Sequence, residues 1–165
     1  MTPVLRHYLL LEHIAGSAVV NFLLNGLIAW LAFRHLETVP LWGSQSIFGD
    51  MVGTTIILPL LTCLIATRIV RWHLRDGRVG SPGWPPESYR VLRSLPDATF
   101  ARGLVMGLVV TVFTAPLLTG LLVTAGIASL DLHSFLWFKA IYAGALGALV
   151  QPLVAMRALA DSDAN

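Results

Sequence analysis

Charge is what this sequence has least of. Asp, Glu, Lys and Arg make up 12% of its 165 residues, where a soluble domain carries about a quarter. Apolar residues make up 56%, and a water-facing surface built from that composition would be adhesive, whereas a bilayer suits it. Cysteine is nearly absent: Cys63 stands alone inside an apolar stretch. That excludes an intrachain disulfide and any cysteine-based metal centre, and reads as a small buried apolar residue. Also missing are a phosphate-loop lysine motif, a Gly-rich dinucleotide fingerprint, a nucleophile elbow and a paired zinc-ligand helix. Catalysis, a cofactor and a metal site therefore have no support, and an enzyme ranks behind other functions. The small basic excess, with a net charge of +2, is local to one loop and gives no reason to expect a nucleic-acid partner.

What is present is four long apolar stretches, about residues 8–33, 47–72, 97–125 and 134–159, each long enough to cross about 30 Å of hydrocarbon. The expected fold is all-α: one four-helix membrane domain over residues 1–165, built as two antiparallel hairpins. Glu12, His13, Asn21 and Asn25 interrupt the first stretch, which is read as a retained helix rather than a signal peptide. Asp97 after Pro96 and Ser134 are the expected N-caps of the third and fourth spans, and Gly126 is placed to end the third.

Seven of the eleven Lys and Arg residues fall between Arg68 and Arg102, around a connector over about residues 73–96. Cytoplasmic loops concentrate such charges, so this connector is expected in the cytoplasm, and an even number of spans puts both termini there too. Trp30, Trp42 and Trp137 then anchor the outer interface and Trp72 the inner one. Within the connector, residues 80–86 are non-helical by composition, and residues 88–95 are expected as a basic turn on the headgroups. The pattern resembles that of small inner-membrane proteins of bacteria, which implies that location.

The halves share a faint likeness. Val19-Val20-Asn21 matches Val109-Val110-Thr111 and Phe48 matches Phe138, both at a spacing of ninety, and Gly49-x-x-x-Gly53 matches Ala140-x-x-x-Gly144 one residue later. This is the signature of a 2+2 tandem repeat of a helical hairpin, and chance similarity between Gly-rich apolar segments produces it too.

Several polar residues fall inside the spans. His13, Ser17, Asn21 and Asn25 follow one another at steps of four, one slowly winding stripe on a helix. Such a stripe is expected to face other helices or water rather than lipid. It reads either as a polar groove continued by Thr54, or as interhelical glue worth about 0.5–2 kcal/mol per amide. Glu12 lies within reach of Arg6 and His7. Asp50 and Lys139 are the one acid and the one lysine in the outer halves of the spans, and pairing with each other is the simplest relief of their burial. The expected pair is either structural or a gate. Pro59, Pro116 and Pro152 are expected helix breaks in three of the four spans. His35-x-Glu37 and Asp131-x-His133 in the outer loops hold metal-type ligands, with exposed polar loops the preferred explanation.

Gly49-x-x-x-Gly53, Gly103-x-x-x-Gly107 and Ala140-x-x-x-Gly144-x-x-x-Ala148 are stripes that let backbones approach closely, with one to spare for a homo-oligomer or a larger membrane complex. Two functions stay open: a small transporter or permease-like protein with a polar intramembrane groove, and a non-catalytic accessory or assembly subunit. A cavity beside Asn21 and Asp50 separates them.

Overall fold

The computed structural model describes residues 7–79 and 94–162. Residues 80–86, the basic turn apart from Ser94 and Leu95, Arg6 and the Glu12 side chain lie outside what is described. The first span opens as a π-helical segment, Tyr8–Ala15, and continues as α1, Gly16–Phe33. Strand β1, Thr38–Pro40, follows, then α2, Ile47–Arg75, α3, Thr99–Thr124, β2, Ser129–Asp131, and α4, Leu132–Ser162. The protein is all-α apart from this two-stranded ribbon, and all four helices are long and apolar enough to span a membrane.

The helix ends follow local chemistry, and two expected caps are corrected. Helix α2 starts at Ile47 because the Ser46 hydroxyl accepts the Gly49 N–H at 3.1 Å. It ends a turn later than expected, after Arg75. There Gly77 takes φ +71° and Arg78 N–H reaches back to the His73 carbonyl at 3.0 Å, a Schellman closure that glycine permits. Gly126 closes α3 in the same way, with Ile127 N–H bonding the Leu122 carbonyl at 2.9 Å. Helix α4 begins before Ser134: the Asp131 carboxylate accepts the Ser134 N–H at 3.0 Å, so Asp131 is the cap and Ser134 is capped. Asp97 does not cap α3, whose first residue is Thr99, because its carboxylate accepts instead from Arg157 at 2.8 Å.

The two connectors at the ribbon end meet. Thr38, Val39 and Pro40 pair antiparallel with Asp131, Leu130 and Ser129. Val39 and Leu41 are buried beneath this ribbon with Phe33, Ile47, Met51 and Phe135, and the Phe33 and Phe135 rings lie 4.7 Å apart. Alternation along so short a strand buries one side chain and exposes its neighbours, so the ribbon lids one end of the bundle.

The main helical seams are α1 with α4, α4 with α2, and α2 with α3. Exchanging the halves, α1 for α3, α2 for α4 and β1 for β2, maps these three seams and the ribbon onto themselves. That is the arrangement of a parallel internal repeat about an axis along the membrane normal. Consecutive helices α1 and α2 make no comparable seam, and the space between them is the origin of the candidate site.

Glycine sets two of the seams. A Cβ on Gly103 would lie 2.8 Å from the Leu60 Cα, and one on Gly107 2.9 Å from the Ile56 carbonyl, so α2 and α3 touch backbone to backbone. Gly144 does the same for α4 against the Ala18 carbonyl of α1, and Gly147 makes room for the Asn21 side chain. Two of the three small-residue stripes are thus consumed inside the protein. In the third, Gly49 packs in its own helix cap, and Gly53 meets no atom within 4 Å of its would-be Cβ.

The prolines do not break the helices. Pro59, Pro116 and Pro152 all lie inside continuous helix, since each removes one N–H while packed neighbours hold the flanking turns. The carbonyl that Pro59 frees, on Thr55, faces Gly107 across the α2–α3 seam.

Candidate functional site

A groove of about 620 Å³ lies between α1 and α2, with α4 as its floor. Ser17, Asn21 and Asn25 line it from α1, Asp50, Thr54 and Thr62 from α2, and Lys139 and Gln151 from α4. Five of these come from the polar stripe and ion-pair positions singled out in the sequence, and Thr54 was their expected continuation. His13 stands at the end of the row, buried, with its Nδ1 3.2 Å from the Gln151 amide nitrogen. Pro59, Pro116 and Pro152 are not among the lining residues.

At the ribbon end of the groove the Lys139 ammonium sits against both the Asp50 carboxylate and the Thr54 hydroxyl. The Thr54 hydroxyl in turn donates to the Asp50 carbonyl at 2.8 Å. The placement follows from the two helix starts: Asp50 is in the first turn of α2 and Lys139 lies two turns into α4, which runs parallel to α2. An ammonium carries three donors. Two are used here, and the third has no partner among the described residues.

Among the described residues, the amides of α1 make no hydrogen bond to another helix. The Asn21 Nδ2 donates to the Ser17 carbonyl at 2.9 Å and its hydroxyl at 3.1 Å, and the Asn25 Nδ2 donates to the Asn21 carbonyl at 3.0 Å. Every one of these bonds runs along α1 itself. The carbonyl oxygens of both side chains have no hydrogen-bond donor among the described residues. Asn21 fits because Gly147 leaves room: a Cβ there would stand 2.5 Å from the Asn21 amide nitrogen. The lips are apolar by contrast. Val20, Leu24, Ile28, Ile57, Leu61 and Ile65 line the groove, and all six are exposed to its surroundings. The polarity is therefore inverted, polar inside and apolar at the rim.

The half-exchange partner of the groove is the space between α3 and α4. Its floor is the α2–α3 seam, where Thr111 donates to Thr55 at 2.7 Å.

A second polar centre, unforeseen from the sequence, lies at the end opposite the ribbon. Arg102 is fully buried. Its Nε donates to the Pro96 carbonyl at 3.0 Å, and its Nη2 to the Asp97 carbonyl at 3.0 Å and the Asp161 carboxylate at 3.2 Å. Arg157 bridges Asp97 and Asp161, and Arg71 approaches Asp161 at 4.0 Å. This network clamps α2, α3 and α4 together. The signal for it was present, because Arg102 and Arg157 stand within their spans, but both read as topological charge.

His35 and Glu37 on one connector and Asp131 and His133 on the other are brought to the same end by the ribbon, yet no group of three metal-type ligands forms among the described residues. His35 meets Gln45 at 3.3 Å, and His133 accepts the Trp137 indole N–H at 3.0 Å. Trp30, Trp42 and Trp137 are exposed near the ribbon end and Trp72 near the other. No family model, curated protein or solved structure matches this chain.

Proposed function

We propose that this chain is a small transporter-like membrane protein whose groove between α1 and α2 conducts a polar group along the bilayer. In this reading it sits in a bacterial inner membrane, with the arginine-rich end and both termini in the cytoplasm. The observation that carries the reading is the row from Ser17 to Asn25 along the groove, in which the Asn21 and Asn25 side-chain carbonyl oxygens accept from no described group. In hydrocarbon each such group costs several kcal/mol, so the row is retained at a cost to stability and needs a ligand or water to satisfy it. An accessory subunit would be expected to turn its small-residue stripes outward and to satisfy its polar groups internally. Here Gly103, Gly107 and Gly144 are spent on internal seams, and the Asn21 and Asn25 amides bond within α1.

Site-directed thiol labelling tests this. Cys63 is buried and is replaced by alanine to give a clean background. Asn21→Cys, Asn25→Cys and, on the lipid-facing side of α1, Leu23→Cys are then exposed to a charged, membrane-impermeant thiol reagent in native membranes. Positions 21 and 25 are expected to react at least tenfold faster than position 23. Equal and slow reaction at all three would mean a dry groove and end the transport reading.

A further inference from the structure

Four features of the groove bear on what moves along it: its open side, its inverted polarity, its length and its paired charges. Because α1 and α2 make no main seam, the groove opens sideways, where lipid surrounds the helices, instead of forming a closed tube. A free solute would be poorly confined by such a trough. A molecule with a polar head and apolar tails would match it: the head on Ser17, Asn21, Asn25 and Thr62, the tails passing out between Leu24 and Leu61. From Asp50 to Ile69, both lining residues, α2 advances about 28 Å at 1.5 Å per residue, close to the ~30 Å of a hydrocarbon core. Ser17, Asn21 and Asn25 are spaced about 6 Å apart along α1, so a head leaving one amide is within reach of the next.

The charges at the ribbon end are of both signs, Lys139 and Asp50. A head bearing a phosphate and an ammonium meets an opposite charge for each of its own. A head with net negative charge would place that charge beside Asp50 in a poorly solvated site, where an unbalanced charge is unfavourable.

We infer that the groove carries the head of a zwitterionic glycerophospholipid from one leaflet to the other while its acyl chains remain in the bilayer. This rests on the transport reading above and names its substrate class.

The test uses the full-length chain reconstituted in phosphatidylcholine vesicles that hold a phosphatidylethanolamine with a fluorophore on one acyl chain, distributed in both leaflets. Dithionite outside the vesicles bleaches only the outer leaflet, so half of the signal survives unless lipid crosses. The expected result is bleaching well beyond half in protein-containing vesicles, with phosphatidylethanolamine crossing at least tenfold faster than an equally labelled phosphatidylglycerol. Gly53→Leu should abolish the excess. A Cβ on Gly53 meets nothing within 4 Å and the residue lines the groove, so the side chain plugs the path without disturbing a seam. Gly120→Leu, equally unhindered but on α3, serves as the matched control and should retain it.

Both variants are first checked for a monodisperse elution profile. Undiminished crossing in Gly53→Leu would overturn the inference, as would phosphatidylglycerol crossing as fast as phosphatidylethanolamine. The same vesicles are also offered free phosphoethanolamine, the head without its tails. Uptake of it without lipid crossing would overturn the inference and leave the transport reading standing. Absence of both would sink the two together.

Discussion

Breaking the Asp50–Lys139 pair from its two sides should have unequal consequences. The Lys139 side chain is 3% exposed and that of Asp50 16%, so the ammonium is the drier partner. Removing one member of a buried pair costs about 3–5 kcal/mol, because the other is left uncompensated. Asp50→Asn leaves the ammonium only neutral acceptors, the new amide oxygen and the Thr54 hydroxyl, with no counter-charge, and belongs at the upper end of that range. Lys139→Met strands a carboxylate that is better exposed and lies in the first turn of α2, where the helix dipole returns about 0.3–1 kcal/mol. Its cost belongs near or below the lower end, about 2–3 kcal/mol. The double variant Asp50→Asn/Lys139→Met has no stranded charge and should lie within about 1.5 kcal/mol of the parent. The assay is reversible unfolding of the purified protein in mixed micelles titrated with a denaturing detergent, read by circular dichroism, with all four proteins completing a double-mutant cycle. A double variant whose loss equals the sum of the singles would refute the reasoning, because it would show that the two charges do not compensate each other. Lys139→Met costing clearly more than Asp50→Asn would refute the asymmetry.

Three further outcomes follow from the same geometry. Gly103→Ala should destabilise by about 1–3 kcal/mol through overpacking, since its Cβ would stand 2.8 Å from the Leu60 backbone. Gly120→Ala, with nothing within 4 Å, should stabilise by up to about 1 kcal/mol of helix propensity, so the same unfolding titration should show opposite signs. Arg102→Lys should cost about 2–3 kcal/mol despite the retained charge, because one ammonium cannot span Pro96, Asp97 and Asp161 as the planar fork does; a midpoint unchanged from the parent would contradict the clamp. The Asp131 carboxylate is held below its ordinary value of 3.8, first by the Ser134 hydroxyl and then by the Ser134 backbone N–H. A depressed acid stabilises the fold above its unfolded value and loses that contribution as pH falls through the folded one. Thermal melts should therefore show Asp131→Ala below the parent at neutral pH, with the gap closing as pH drops below 3.8.

Much of the architecture is legible in the composition and spacing of the residues, and the reasons are specific. Spans reveal themselves because a bilayer imposes a length and an apolar composition on every segment that crosses it. Gly126 announces the end of α3 because few residues other than glycine accept the left-handed conformation of a Schellman closure. The caps are harder. Ser134 and Asp131 are both capping residues three positions apart, and Asp97 is drawn away by Arg157, a partner 60 residues distant. The ribbon escapes notice because three-residue strands carry almost no periodic signal. Of the site, the stripe on α1 can be read from its four-residue step. Gln151 cannot, being the one amide in its stretch. The prolines mislead, since a helix held by its neighbours survives the loss of one hydrogen bond.

Composition and period act residue by residue, so they suffice to specify four apolar helices of membrane length and a polar stripe along one face of the first. Which helix packs on which is a different kind of information. Gly144 and Gly147 acquire their meaning only once a particular backbone approaches them, and it is the folded bundle that sets α1 on α4 rather than on α2. That choice leaves a membrane-deep groove between two helices that are consecutive in the chain. It also brings Lys139 onto Asp50 across 89 residues, a meeting that the cost of burying either charge alone suggests and that the packing of α2 on α4 brings about.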